Sequence, residues 1–237
     1  MAPDPRPPLA AYQDIAALLD QPLLQPDLTA TQVLQGLETA KRHGIASVTV
    51  RPCDIDLAVR TLQGSSVKPA CVVGFPHGSQ TTAVKLYEGR DLLRRGAREL
   101  EMVIGIPSLL SREFQHVQTE LTQMSESCHR EGALLKVVLE TAYLADDLKI
   151  IACGCCERAE VDFVCTSTGF GPAGYTLKDL DLLRSHLPEE ISLKAEGEIR
   201  TVDQITELYE AGCSRVGTRF TTTILDEWKA RPQVQTK

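Results

Sequence analysis

The sequence lacks any hydrophobic run long enough to cross a membrane. No apolar stretch approaches the roughly 18 residues that a spanning helix needs. Residues 1–8 are rich in proline and lack the apolar centre of a secretory signal. We therefore expect residues 1–14 to form a flexible leader, and we expect a cytoplasmic protein without a membrane partner.

The sequence also lacks a basic run. Its 25 Lys and Arg are outnumbered by 32 Asp and Glu, which gives a formal net charge of −7. A chain with that balance and no basic cluster is a poor candidate for binding nucleic acid. The 43% hydrophobic and 24% charged composition is that of an ordinary globular protein, and 237 residues are enough for one large core.

Paired cysteine motifs are absent too. The chain has eight cysteines, and without an export signal reduced thiols are the default expectation. The run Cys153-Gly154-Cys155-Cys156 has no second CxxC and no histidine pair at ligand spacing, so it is interpreted as small apolar side chains on a helix. We expect no metal site and no cofactor.

Short apolar strands alternate with helical segments along nearly the whole chain. This order is typical of parallel βαβ units, and eight such pairs in fewer than 240 residues predict a single (β/α)8 TIM barrel over residues 15–230. A polar tail is expected at 231–237. A doubly wound open sheet is the alternative, but no GxGxxG follows the first strand. The strands are predicted at 15–24, 46–50, 70–75, 100–104, 134–140, 162–166, 191–195 and 215–217, and the helices at 30–43, 54–63, 81–95, 114–130, 145–158, 176–185, 201–211 and 221–230.

In such a barrel the carboxyl ends of the strands face the active site. In the stretch 161–171 the strand ends at Cys165 and is followed by the loop Thr166-Ser167-Thr168-Gly169. This loop is suited to binding an oxyanion or a phosphate. It can also be interpreted as a tight turn that needs its glycine. The other strand ends carry ionisable side chains, hydroxyls and glycines, namely Asp20, Arg51, His77, Glu101, Lys136, Glu140, Lys194, Glu196, Gly217, Thr218 and Arg219.

Six segments that include most of these residues resemble the deoxyribose-phosphate aldolase family of class I aldolases. They are VVGFPHGSQTTAVKLYE (72–88), ELEMVIGI (99–106), LLKVVLET (134–141), DFVCTSTGF (162–170), LKAEGEIRT (193–201) and SRVGTRF (214–220). The likeness runs from about Ile15 to Phe220. It implies a (β/α)8 barrel, retro-aldol cleavage of 2-deoxyribose 5-phosphate to glyceraldehyde 3-phosphate and acetaldehyde, and a homo-oligomer.

The resemblance also assigns roles to individual residues. It places the family's Schiff-base lysine at position 165, where this sequence has Cys165. The second lysine, which lowers the pKa of the first, matches Lys194. The lysine of the LKV segment matches Lys136, and the aspartate of the proton relay matches Glu101. The substrate and phosphate contacts match Asp20, Thr166, Ser167, Thr168, Gly169, Gly197, Gly217 and Arg219.

The departures from the family pattern lie in the expected site. A thiol cannot form an imine, and a thiohemiacetal offers no electron sink for carbon–carbon cleavage, so ordinary aldolase activity is predicted to be weak or absent. Glu196 and Glu198 stand in the expected phosphate loop and would repel a phosphate, whereas Arg219, in place of a serine, would attract one.

Four interpretations remain open at this stage. Lys194 or Lys136 could form the imine instead, with Glu101 moving the proton. Two neighbouring cations could hold Cys165 as a thiolate nucleophile that acts on a different carbonyl substrate. The barrel could be a ligand-binding or regulatory protein without turnover. The lysines could also be no more than ion-pair partners of Glu101 and Glu140. In each case the expected ligand is a small aldehyde, a sugar or a sugar phosphate.

Overall fold

The computed structural model describes residues 6–231 and contains one closed barrel of eight parallel strands in chain order, each paired with its sequence neighbours and the first with the last. The predicted (β/α)8 fold is confirmed. Most strand ends lie within two residues of the predicted limits. The strands are β1 Leu19–Leu23, β2 Ser47–Val50, β3 Lys68–Val73, β4 Glu99–Val103, β5 Leu134–Val138, β6 Phe163–Cys165, β7 Ser192–Glu196 and β8 Cys213–Gly217.

The helices surround the barrel, and three of them have the predicted bounds. Within residues 6–231 no helix is both long and apolar enough to cross a bilayer. Two short helices, the first and the fifth, were not predicted. The helices are α1 Tyr12–Ala16, α2 Ala30–His43, α3 Ile55–Leu62, α4 Thr82–Arg94, α5 Ile106–Leu110, α6 Phe114–Arg130, α7 Asp146–Arg158, α8 Leu177–His186, α9 Val202–Glu210 and α10 Thr221–Ala230.

Local sequence explains where a helix such as α2 begins and ends. Thr29 and Gln32 form a reciprocal capping box that satisfies free N–H groups of the first turn. Gly44 ends the helix with φ of 63°, a left-handed conformation that glycine adopts without penalty. Val33, Leu37 and Ala40 face the strands and are fully buried.

The segment predicted as the first strand, 15–24, is divided in the structure. Its first two residues belong to α1, and only Leu19–Leu23 pair in the sheet. Upstream, the Arg6 guanidinium donates to the carbonyl oxygens of Gly212 and Cys213 at 2.8 and 2.7 Å. Residues 1–5 of the predicted leader and 232–237 of the predicted tail lie outside the described residues, and the division at residues 14 and 230 stays a prediction.

Side chains alternate along each strand, and here the two faces differ sharply. The outward side chains, such as Val48 and Val50 on β2, pack with the helices into the main apolar core. The inward side chains are largely polar or charged, as Ser47 and Thr49 show on the same strand. The barrel is therefore stabilised mainly by the layer between strands and helices, and its interior is available for chemistry.

Candidate functional site

Seven ionisable side chains meet inside the barrel and are joined by ion pairs of 2.5 to 3.5 Å. We call this group the interior charge cluster. It contains three cations and four carboxylates, so it carries one excess negative charge when every member is ionised. Its members are Asp20, Glu99, Glu101, Lys136, Lys194, Glu196 and Arg215.

Lys136 lies in the middle of the barrel and is fully buried. Its Nζ is 2.6 Å from Glu99 Oε2 and 3.5 Å from Glu101 Oε1, and it donates to Asp20 Oδ2 at 2.5 Å. Burial alone would lower the pKa of the Lys136 ammonium, but Asp20 and Glu99 raise it above its usual range. The group therefore stays charged near neutral pH.

Lys194 is nearer the mouth and is bound in the same way. Its Nζ is 2.6 Å from Glu101 Oε1, 3.2 Å from Glu196 Oε2 and 3.5 Å from Asp20 Oδ2. Burial lowers the pKa of Lys194, yet these three carboxylates together raise it well above the ordinary value. An ammonium has no free electron pair, so in this arrangement the amine is not a nucleophile.

Cys165 ends β6 and is paired in register with Lys194 on β7 and Val138 on β5. Its side chain is fully buried. Burial raises the pKa of the Cys165 thiol; Lys194 and Lys136 oppose this only in part, because Glu101 and Asp20 act in the other direction. The expectation of a thiolate is therefore wrong: the two cations are already neutralised by carboxylates, and the sulfur stays a neutral thiol.

The hydroxyls that follow Cys165 bind the protein itself. Thr166 Oγ1 accepts from the Glu196 N–H at 3.1 Å, and Ser167 Oγ donates to the Glu196 carbonyl at 2.8 Å. Gly169 has φ of 74°, so this position requires the left-handed conformation that a tight turn uses. The turn interpretation describes this loop, and its hydroxyls fasten β6 to β7.

Glu140 holds the same loop from the end of β5. Its Oε2 accepts from the backbone N–H and the hydroxyl of Thr168, at 3.0 and 2.5 Å. Glu140 is almost completely buried and has φ of 54°, an uncommon conformation for a residue other than glycine. The predicted pairing of Glu140 with a lysine is absent from the ion pairs of residues 6–231.

A cavity of about 230 Å³ opens at the mouth above the interior charge cluster. Of that cluster, Glu196 alone lines the cavity among the described residues. Arg219 also lines it, but its guanidinium donates to Glu198 Oε1 at 2.8 Å. The lining residues come from the ends of β1 and β7 and from the loops after β1, β6, β7 and β8, and they are Pro22, Leu24, Gln25, Thr168, Gly169, Phe170, Gly171, Pro172, Ala173, Gly174, Glu196, Gly197, Glu198 and Arg219.

Glu196 differs from the other carboxylates of the cluster. Burial raises its pKa to about 7; Glu101 and Asp20 act in the same direction, and Lys194 opposes them. By contrast, the pKa of Asp20 and that of Glu101 are held below their usual range by the surrounding cations, although burial acts against this. Glu196 is thus the carboxyl that exchanges a proton near neutral pH and also faces the cavity.

The structure brings the four proposed catalytic residues together but separates some proposed ligand contacts. Asp20, expected at the substrate, lies inside the barrel, where Arg215 Nη1 and Ser47 Oγ bind its Oδ1 at 2.7 and 2.6 Å. Gly217 lies against the Glu196 carboxylate. Sequence reasoning missed Glu99 and Arg215, although the first stands two residues before Glu101 and therefore shares its inward face.

Comparison with known proteins gives one consistent result. No protein-family model matches the chain. A deoxyribose-phosphate aldolase of Caldanaerobacter subterraneus subsp. tengcongensis is 39% identical over 220 residues, which are 92% of this chain and 95% of that protein. The solved structure of QR15, an aldolase, has a TM-score of 0.87 and 33% identity over 92% of this chain and 97% of its own. A tetrameric deoxyribose phosphate aldolase from Aeropyrum pernix has a TM-score of 0.85 and 28% identity, with 93% of each chain covered.

Proposed function

The chain belongs to the deoxyribose-phosphate aldolase family, and from this premise we propose that its barrel mouth binds a small aldehyde or sugar while ordinary cleavage of 2-deoxyribose 5-phosphate is weak or absent. The observation that carries this proposal is the state of the interior amines. Both buried lysines are bound by carboxylates and remain ammonium groups, and the strand position that would present the reacting amine holds Cys165.

Imine chemistry explains why this arrangement disables the usual route. The attacking amine must be partly neutral near pH 7, which requires a lowered pKa. In this barrel the carboxylates of Asp20, Glu99 and Glu101 raise the lysine pKa values instead. Each group is thus stabilised as an ion pair, and loss of the proton that must leave before the amine can attack would leave a buried carboxylate without its cation.

The size of the cavity supports a small ligand. Its volume of about 230 Å³ is below the roughly 300–1,000 Å³ of sites for drug-sized molecules. Short sugars and aldehydes fit such a volume. Glu196 lines the cavity and offers its carboxylate as an acceptor for the hydroxyl groups of such a ligand.

A non-catalytic binding barrel is the second candidate, and the same ion pairs favour it. Weak aldol chemistry through Lys194 remains a third, because Glu101 is within 2.6 Å to exchange its proton. Chemistry at Cys165 is the least supported, since the thiol is fully buried and its pKa is raised.

Two measurements on the purified protein test the proposal. With 2-deoxyribose 5-phosphate we expect turnover at least about 1,000-fold below the ~10 s⁻¹ typical of enzymes, with the Caldanaerobacter relative as a positive control. Borohydride reduction in the presence of acetaldehyde, followed by peptide mapping, should leave Lys136 and Lys194 unmodified. Turnover at ordinary enzymatic rates would refute the proposal, and an adduct on Lys194 would instead establish relocated imine chemistry.

We further propose that the chain forms a homo-oligomer in the cytoplasm and that residues 15–230 are its one folded domain. The tetrameric assembly of the Aeropyrum pernix relative supports the first part. The eight cysteines all lie in the described residues and are unpaired, which is consistent with a reducing compartment. Light scattering coupled to gel filtration would measure the oligomeric state, and a monomer would contradict the proposal.

A further inference from the structure

We infer that Glu196 selects against phosphorylated ligands and makes the barrel mouth a site for an uncharged hydroxylated aldehyde or sugar. The inference rests on the proposed function, because it names the ligand class of the same cavity. It concerns binding alone and needs no particular catalytic step.

The position of the carboxylate is the first argument. Glu196 is 8% exposed, and it lies between the interior charge cluster and the cavity. Its Oε2 is 3.2 Å from Lys194 Nζ, and its side chain lies so close to Gly217 that a Cβ there would collide with Oε2. A Cβ at Gly169 would be 3.7 Å from Glu196 Oε1. The carboxylate thus occupies the space where the loops after β6, β7 and β8 converge.

The second argument is that the nearby side-chain hydroxyls are already used. The hydroxyls of Thr166 and Ser167 bind the backbone of Glu196 itself. Thr218 Oγ1 donates to the Ile199 carbonyl at 2.6 Å. The Arg219 guanidinium is paired with Glu198, which also binds Arg200 at 2.6 Å. A phosphate entering the cavity would meet the Glu196 carboxylate with none of these hydroxyls free to offset its charge, and Arg219 would have to be shared with Glu198.

The third argument is the sign of the charge below the cavity. The interior charge cluster has three cations and four carboxylates, so its excess charge is negative when Glu196 is ionised. A phosphate dianion would add like charge in a poorly solvated place. An uncharged hydroxyl instead donates to the Glu196 carboxylate and adds no repulsion. The site therefore discriminates by charge between a sugar and its phosphate.

The test compares the binding of two probes, inorganic phosphate and 2-deoxyribose, by NMR titration at pH 8 and constant ionic strength. We expect the Glu196→Ser variant to bind phosphate at least tenfold more tightly than the wild-type protein. Glu196→Gln, which removes the charge and keeps the size, should gain at least threefold. Asp226→Asn removes an exposed charge from α10 and should match the wild-type protein. Wild-type affinity for 2-deoxyribose should exceed its affinity for phosphate.

Several results would overturn the inference. These are no gain in phosphate affinity in folded Glu196→Ser, an equal gain in Asp226→Asn, or a wild-type protein that binds phosphate more tightly than 2-deoxyribose. If Glu196→Ser does not fold, Glu196→Gln decides, and an affinity unchanged from wild type counts against the inference. Aldolase turnover at ordinary rates would refute the proposed function but would leave these binding results standing, so the two failures are distinguishable.

Discussion

Replacing Cys165 by lysine should restore imine formation with a small aldehyde. The backbone that aims this side chain is held on both sides, because β6 pairs with Val138 on β5 and with Lys194 on β7. The loop that follows is fastened by Thr166 and Ser167 to Glu196. The new amine would therefore enter the barrel next to Lys194. Burial at this position lowers the pKa of an amine; the positive charge of Lys194 acts in the same direction, and Glu101 and Asp20 oppose it.

The energetic cost follows from burial. Position 165 is fully buried, and full burial can lower a lysine pKa by roughly 3–5 units. An amine that is neutral at pH 7, instead of titrating near 10.4, costs about 4.6 kcal/mol of folding stability, at about 1.4 kcal/mol per pKa unit. At pH 7 the introduced lysine binds a proton in the unfolded state but not in the folded state. This difference disappears as pH approaches the unfolded pKa near 10.4, so the variant should regain stability relative to the wild-type protein as pH rises from 7 toward 10.

The assay is borohydride reduction with acetaldehyde at pH 7.5, followed by peptide mass mapping. We expect a reduced adduct on the introduced lysine in Cys165→Lys and none in Cys165→Met, a control of similar length without an amine. Activity on an unphosphorylated aldehyde should return before activity on a sugar phosphate, because Glu196 still lines the cavity. A cooperatively folded variant without an adduct would refute the reasoning and place the non-catalytic barrel first.

Three further predictions concern the interior. Lys136→Met removes a cation that Asp20 and Glu99 share and leaves Arg215 as their main remaining partner, so it should destabilise by about 3–5 kcal/mol in urea unfolding. The exposed Lys178→Met should change stability by less than about 0.5 kcal/mol, and equal effects would contradict the ion-pair account. Gly217→Ala should lower the free energy of unfolding by about 1–3 kcal/mol, because the new methyl group would collide with Glu196. The double variant Gly217→Ala/Glu196→Ala should recover much of this loss, and additive losses would count against the contact. The pKa of Glu196 is raised to about 7 in the folded protein, so its protonation stabilises the folded state at low pH, and this contribution is lost as pH rises through 7. Between pH 4.5 and 7.5 the free energy of unfolding of the wild-type protein should fall by on the order of 3 kcal/mol relative to that of Glu196→Gln. Parallel pH profiles of the two proteins would exclude the raised pKa.

The barrel could be predicted from sequence because its outer layer follows simple periodicities. Strands such as β2 alternate Val48 and Val50 outward, and helices such as α2 repeat buried positions at helical spacing. The fifth helix escaped prediction because it has only five residues, Ile106–Leu110, too few for a periodic pattern. The first strand is predicted to begin at residue 15, four residues before it does, because α1 and β1 form one continuous apolar stretch around Leu18.

The residues of the candidate site were predictable, but their charge states were not. Strand alternation indicates that Lys136, Lys194 and Cys165 all point inward. It does not reveal that Asp20 and Glu101, which are 116 and 93 residues from their lysine partners, reach the same place. Burial raises the pKa of the Cys165 thiol and those carboxylates oppose the two cations, which is why the thiolate hypothesis was wrong.

The charge count of the barrel interior also constrains how this chain could be connected by mutation to a lysine-bearing relative. As it stands, one negative charge is in excess. A lysine at position 165 that is neutral at pH 7, as imine formation requires, leaves this count unchanged. A small neutral residue at position 196 removes the excess, so the interior is then balanced with or without the lysine. Neither order of the two changes adds uncompensated charge to the interior, and only the change at position 196 alters the charge that a ligand meets at the barrel mouth.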